Sequence, residues 1–328
     1  MTTTRKQAAP FARNRLLRDA SWQAVHEAMK ENPSVYVFGE GAGVKAFYDA
    51  PAMLAEFPRR IVTLPICEDG SINFGIGASL LGITPMIDCI AADFLYRCMD
   101  SICNTAAKLN FVLGPGRTPS TIVIRAETLL GGPTTGQRPE ALFTHIPGVN
   151  VVMPSTPHDA YGLMRTALET PGVTLLFEDR MVDDVGFWEL EDLKLGESVP
   201  FGKATIREGG LRGQPLVLTY GVMRQVVERA LLDLPGPRVI DLCSLYPLDW
   251  ETIRWNLKGG RHNKVLIVEP DVTYGGIGAE IAARLAEEFV GVEIKRLGAP
   301  REVIPAASAL HARMLPTEEE ILRALSPW

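Results

Sequence analysis

No cysteine in this sequence stands in a Cys-x-x-Cys pair; the five present (Cys67, Cys89, Cys98, Cys103 and Cys243) form an odd set lying mostly in apolar segments. A thiol there behaves as a small hydrophobe, so disulfides and a cysteine-built zinc centre are both disfavoured. No basic run and no basic face interleaved with aromatics occurs, which excludes the usual footprint of a nucleic-acid partner. No window of about 18 uncharged apolar residues is present, so no membrane association is expected. The N-terminal MTTTRKQAAPFARNRLLRDA is basic but lacks the apolar stretch of a signal peptide, which points to a cytoplasmic protein. Among only five histidines, His145 in THIPG and His158 in STPHDA have no second histidine or cysteine at metal spacing. Both read as structural, and the chain is expected to supply no metal ligands of its own.

What is present is the composition of a globular protein: 46% hydrophobic and 22% charged residues, with a formal net charge of −6. At 328 residues the chain exceeds one typical core, which predicts two domains, with a single α/β barrel as the alternative on size. Helical periodicity runs from Arg15 to Lys30, and Asn32-Pro33 ends it before the apolar run Val35 to Phe38. The rhythm continues with a strand at Ile61 to Leu64, a helix from about Gly70 to Leu81 and a strand at Thr84 to Ala91. A long helix from Asp93 to about Val112 and a strand at Ser120 to Ala126 follow. Continuous apolar strands separated by helices predict parallel sheets covered on both faces.

Between Ala126 and Pro139 the rhythm breaks into a loop rich in Gly, Thr and Pro, of a length that is often functional. A strand at Val149 to Met153, a helix from Pro157 to Glu169 with Thr156 as N-cap and the strand VTLLFED complete the first unit. The stretch from Arg180 to about Pro200 is acidic and aperiodic. Four more strands follow, at Pro215–Tyr220, Arg238–Leu242, Lys264–Glu269 and VEIKRL, with helices at Val222–Leu232, Asp249–Leu257, Ile277–Phe289 and Thr317–Leu325. The fold class is therefore α/β, two three-layer α/β/α domains with mostly parallel sheets, at 1–188 and 201–328, joined by a linker at 189–200.

The stretch LPICEDGSINFGIGAS places Glu68 and Asp69 where a buried strand hands over to a helix, at the edge where α/β sheets place ligands. Leu64, Ile66, Cys67, Ile72 and Phe74 would disfavour charge on Glu68, whereas the helix N-terminus favours it, and both directions stay open. The simpler account is two first-turn acids favouring a helix. Gly70, Gly75, Gly77 and Gly82 each cost about 1 kcal/mol in a helix interior, which predicts a compensating close helix–helix contact, within the chain or between subunits. Gly75-x-Gly77 lacks the third glycine of a dinucleotide loop. YGGIGAE (Tyr274 to Glu280) could hold an anion at a helix start, although a strand-to-helix turn needs glycine in any case.

The ordered succession FGEG, LPICEDG, PMIDCIAADF, AAKLNFVLG, ALFTHIPGVNVVMPSTPHDAYGL, LTYGVM, SLYPLD and VLIVEPDVTYGGIGAEIAARL spans nearly the whole chain. It resembles the beta subunit of the thiamine-diphosphate-dependent decarboxylase component of 2-oxo acid dehydrogenase complexes, the pyruvate and acetoin dehydrogenase group. The resemblance implies a transketolase-like pyrimidine-binding domain followed by a transketolase C-terminal domain, assembled with an alpha subunit as an α2β2 tetramer. The alpha subunit of such proteins carries the Gly-Asp-Gly…Asn motif that holds Mg2+ and the diphosphate. Asp69-Gly70 is not followed by the rest of that motif, so this chain should not work by itself.

By the same resemblance Glu68 is the glutamate that shares a proton with N1′ of the aminopyrimidine, favouring the imino tautomer whose 4′-nitrogen takes the proton from C2. Phe94 packs on the pyrimidine, Ile66 and Ile90 line the cofactor, and Glu40 is an acid between two cofactor sites. Where the family reads Gln-His-Ser-Gln, this chain reads Thr134-Thr135-Gly136-Gln137, with Thr135 at the histidine's position. That histidine serves substrate and acyl transfer, so lipoyl transfer and pyruvate itself are put in question. The expected substrate is a 2-oxo acid or related carbonyl compound, in a dehydrogenase-like decarboxylation with a lipoyl acyltransferase as further partner. The alternatives are a non-oxidative decarboxylase, diketone lyase or carboligase, and, from another class, a non-catalytic stabilising subunit. A structural monovalent cation such as K+ belongs to the same expectation.

Overall fold

The computed structural model describes residues 17–40, 50–114, 120–129, 132–184, 196–207, 209, 213–232, 234 and 236–326. Helix α1 (Leu17–Glu31) leads into β1 (Val35–Gly39), α2 (Ala50–Glu56), β2 (Ile61–Thr63), α3 (Glu68–Leu80) and β3 (Thr84–Ala91). The single long helix expected from Asp93 is broken instead. A 3-10 segment (Ala92–Cys98), a π turn (Ser101–Thr105), another 3-10 turn (Ala106–Lys108) and α4 (Leu109–Leu113) replace it. The buried stripe Leu95, Cys98, Ile102 and Ala106 suits all of these helical periods, so apolar spacing cannot distinguish them.

The chain continues with β4 (Thr121–Thr128), α5 (Glu140–Thr144), β5 (Val149–Val152), α6 (Pro157–Glu169), β6 (Gly172–Asp179) and α7 (Arg180–Asp184). Thr156 caps α6 by accepting the Asp159 N–H, as its sequence position predicts. The expected linker at 189–200 lies mostly outside the described residues. Beyond it come β7 (Thr205–Arg207), β8 (Leu216–Thr219), α8 (Val222–Ala230), β9 (Arg238–Asp241), β10 (Ser244–Tyr246) and α9 (Trp250–Leu257). The chain closes with β11 (Lys264–Val272), α10 (Ile277–Glu288), β12 (Glu293–Ala299), α11 (Ser308–His311) and α12 (Glu318–Leu325).

Seven strands form one sheet in the order β10-β5-β6-β4-β3-β1-β2, and five form another in the order β12-β11-β8-β9-β7. All pairings are parallel except β10 with β5 and β7 with β9. Alternate residues of each strand fall into two apolar clusters, one on each face, as the two-residue period requires. Val35, Val37, Met86, Val123 and Leu176 share one cluster with Val217, Val239 and Leu266, whereas Ile87, Ile122, Ile124 and Leu175 share the other with Leu216, Leu218 and Ile240. Both clusters therefore run through both sheets.

In the first sheet the chain leaves β1 towards β2 but leaves β3 in the opposite direction, towards β4. The carboxyl ends of β1 and β3 thus flank a topological switch point, the place where open α/β sheets bind ligands. The second sheet has its own switch between β8 and β11. A Cβ on Gly75 would lie 2.4 Å from Ile87 Cδ1, so α3 rests directly on β3. The close contact at that glycine is helix on strand rather than helix on helix. Gly77 has nothing within 4 Å of where its Cβ would stand.

Candidate active site

Glu40 immediately follows β1, and its Oε1 accepts the Cys67 backbone N–H at 2.9 Å. Cys67 is the N-cap of α3, so this bond ties the end of β1 to the helix start that carries Glu68. Glu68 is half-buried in the first turn, and Ile66 beside it is 84% exposed. Asp69 faces elsewhere. The Ser101 hydroxyl donates to its Oδ1, and Asn73 Nδ2 donates to the Asp69 carbonyl at 2.9 Å and to Ser101 Oγ at 2.7 Å. The two adjacent acids thus separate: Asp69 locks α3 to the π turn, and Glu68 is left at the open end.

The other predicted residues come from the carboxyl end of β3. Asp88 pairs with Arg125 but Ala91 with Glu127, so β3 carries one extra residue there. The bulge holds Ile90 at φ 53°, a strained conformation for a β-branched residue, of the kind that clusters at functional sites. Ile90 and Phe94 are both half-buried. Burial lifts the Cys89 thiol well above its usual value, and the charges of Asp88, Glu40 and Glu68 push the same way. Glu40, Glu68, Ile90 and Phe94 therefore gather at the first switch point, with Ile66 on the lip.

The loop that carries Thr135 is tied to this region through Gln137. Gln137, two residues on, donates its backbone N–H to Asp93 at 3.2 and 3.3 Å and its Nε2 at 2.8 Å, and Asp93 immediately precedes Phe94. Burial raises the Asp93 carboxyl above its ordinary range, opposed by the Gln137 hydrogen bonds. Arg138 continues the anchoring with a 2.6 Å bond to Asp179.

Beneath the bulge lies a buried ionic cluster. Arg125, 1% exposed, bonds Asp88 at 2.9 Å, Glu127 at 2.6 Å and Glu178. Burial raises Glu178 even against the neighbouring Arg125 charge. This cluster, Asp93 and Gln137 are absent from the residues predicted from sequence. The cluster's signal was nevertheless present, as isolated charges in the apolar strands TPMIDCIA, TIVIRAET and TLLFED.

The glycine turn before α10, read as a possible anion site, is taken up by the protein itself. Gly278 N–H donates to Glu269 Oε2 at 2.9 Å, and a Cβ on Gly276 would lie 2.6 Å from the same atom. His158 stands beside Asp159, whose hydrogen bond raises it, and His145 is exposed; neither reaches the first switch point. Among the described residues, Asp159, Asp241 and Cys243 bring three potential ligand atoms within 4.8 Å of one another. Thr156 and Ser155 hydroxyls and Arg224 already bond those carboxylates.

Residues 14–182 match the transketolase pyrimidine binding domain, and residues 203–321 match the transketolase C-terminal domain. The chain is 30% identical over 341 residues to a mitochondrial 2-oxoisovalerate dehydrogenase subunit beta 2 of Arabidopsis thaliana, covering 99% of this chain and 92% of the relative. It is 31% identical over 327 residues to a pyruvate dehydrogenase E1 component subunit beta of Gracilaria tenuistipitata var. liui, covering 94% and 98%. Among solved structures, an inactive beta4 tetramer of a split-gene transketolase superposes with a TM-score of 0.76 at 21% identity, covering 95% of this chain and 97% of the other. That likeness is one of fold.

Proposed function

This chain belongs to the transketolase-like family, within it to the beta subunits of 2-oxo acid dehydrogenases, and from that premise we propose that it is the beta half of a thiamine-diphosphate-dependent enzyme completed by an alpha subunit. The observation that carries the reading is the gathering of Glu40, Glu68, Ile90 and Phe94 at the first switch point. These residues fit the aminopyrimidine half of the cofactor: a half-buried carboxyl, an aromatic face and an apolar lip beside a strained backbone. Bound thiamine diphosphate supplies a carbon nucleophile and an electron sink for breaking a bond next to a carbonyl.

In this reading Glu68 holds a proton shared with the ring nitrogen N1′, the role of a positioned general acid and base. Glu40 fixes the turn that presents it. Phe94 and Ile90 hold the ring plane, and Ile66 helps to exclude water. Mg2+ and the diphosphate fall to the alpha subunit, and a structural K+ remains part of the proposal. The division into 1–188, 189–200 and 201–328 is likewise proposed. So is a cytoplasmic setting; no helix among the described residues is long and apolar enough to cross a membrane.

The substrate we assign is a 2-oxo acid, with a lipoyl acyltransferase as acceptor. A second reading rests on Thr135: a hydroxyl can donate to a substrate oxygen but does not titrate near neutrality, unlike an imidazole. It favours release of an aldehyde, acid or acyloin without lipoamide. The test is to co-express the chain with its alpha subunit and follow lipoamide reduction and carboligation in parallel, using several 2-oxo acids and diketones. Efficient reductive acylation of lipoamide supports the dehydrogenase and removes the second reading.

A further inference from the structure

We propose that Asp93 is a positioning residue that sets the Thr135 loop against the Phe94 segment, so that one carboxylate fixes the substrate side of the site relative to the cofactor side. The inference rests on the thiamine-diphosphate reading for its functional consequence. Its structural part stands on the contacts themselves.

Asp93 is 6% exposed, and beyond its own residue its carboxylate accepts hydrogen bonds from Gln137: both oxygens face the backbone N–H, and Oδ1 also takes the side-chain amide. Hydrogen bonds to a carboxylate are about twice as strong as neutral ones, and this set is largely withdrawn from water. The loop folds back on itself in front of the clamp, with Thr135 N–H on the Gly132 carbonyl at 3.4 Å. Behind it, Arg138 is bonded to Asp179, and a Cβ on Gly136 would lie 3.4 Å from Ile304 Cγ2. The C-terminal half thus backs the loop while Asp93 holds its front. Since Asp93 and Phe94 are consecutive in one 3-10 turn, any shift of the turn moves the aromatic face and the loop together.

The clamp is tested on the full chain by hydrogen exchange at the Gln137 amide. Asp93→Asn should speed exchange about tenfold, because the amide is uncharged and sets an NH2 donor against the Gln137 backbone N–H where the second carboxylate oxygen accepted. Gln137→Ala, which keeps the backbone bond, should change exchange at position 137 far less. If Asp93→Asn fails to fold, Gln137→Ala serves in its place for the kinetic comparison. In the complex with its alpha subunit, Asp93→Asn should raise KM for the 2-oxo acid about tenfold and Gln137→Ala about threefold, while calorimetric thiamine diphosphate affinity stays within about twofold. Unchanged exchange in Asp93→Asn overturns the clamp. Faster exchange with an unchanged KM and kcat overturns the positioning role and leaves the thiamine-diphosphate reading standing. A wild-type complex that binds no thiamine diphosphate overturns that reading, whereas the exchange result still decides the clamp.

Discussion

Glu68 and Phe94 divide the work of one ring between a proton and a plane, and their substitutions should fail differently. Glu68→Gln keeps the shape of the α3 first turn but removes a transferable proton. Turnover of the assembled complex should fall at least about 100-fold, with thiamine diphosphate binding little changed. Rapid turnover by that variant would return Glu68 to the simpler role of a first-turn acid. Phe94→Ala removes a stacking face worth about 1 kcal/mol, so calorimetry should show cofactor affinity weakened about fivefold with Tm preserved. A variant that does not fold would instead place Phe94 in the core. Neither residue announced its role by pattern: Glu68 reads as an ordinary helix-start acid, and it took the motif resemblance to single it out. Asp93 had not even that signal, because a lone acid at a strand end is too common.

Among the elements, α3 carries a built-in comparison. Gly75 lies against Ile87 and Gly77 faces open space, so Gly75→Ala should destabilise the isolated chain by about 1–3 kcal/mol through overpacking. Gly77→Ala should stabilise it by about 0.5–1 kcal/mol, because alanine is the better helix former. Urea unfolding of both variants decides the pair. The same element shows what sequence can tell: buried parallel strands stand out as continuous apolar runs, and β3 begins and ends where its residues predict. Elements shorter than the averaging window escape, as α2, α5, β7 and β10 did. The break after Asp93 escapes for another reason, since 3-10, α and π turns all satisfy one apolar stripe.

At the scale of the molecule, the second switch point is filled from within. Tyr220 and Glu269 sit at the carboxyl ends of β8 and β11, and Glu140, fully buried, brings to them the start of α5 from the other sheet. Burial, reinforced by the charge of Asp271, lifts Glu140 from an ordinary 4.5 to about 8. Burial also raises Glu269 to about 7 and Asp271 to about 6. The folded state therefore holds protons that the unfolded chain releases. The stability these three groups contribute is fully present below about pH 4 and is lost as pH rises through 6 towards 8. Thermal melts at pH 5 and pH 8 should differ less for Glu140→Gln than for the wild type; an unchanged difference would place the protons elsewhere. At the same scale, calorimetry should find weak thiamine diphosphate binding by the isolated chain and restored binding after co-expression with an alpha subunit. Tight Mg2+-dependent binding by the chain alone would refute the division of the site between subunits.

Strand β10 belongs by sequence to the second half but pairs with β5 at the rim of the first sheet. A polypeptide emerging from the ribosome makes β5 well before β10 exists. Until Ser244–Tyr246 arrives, Val149–Val152 offers a bare row of amides and carbonyls, the template on which strangers zip together. The first half severed from the second should accordingly precipitate rather than persist as a tidy fragment. A gene split at the linker would therefore have to supply both pieces at once.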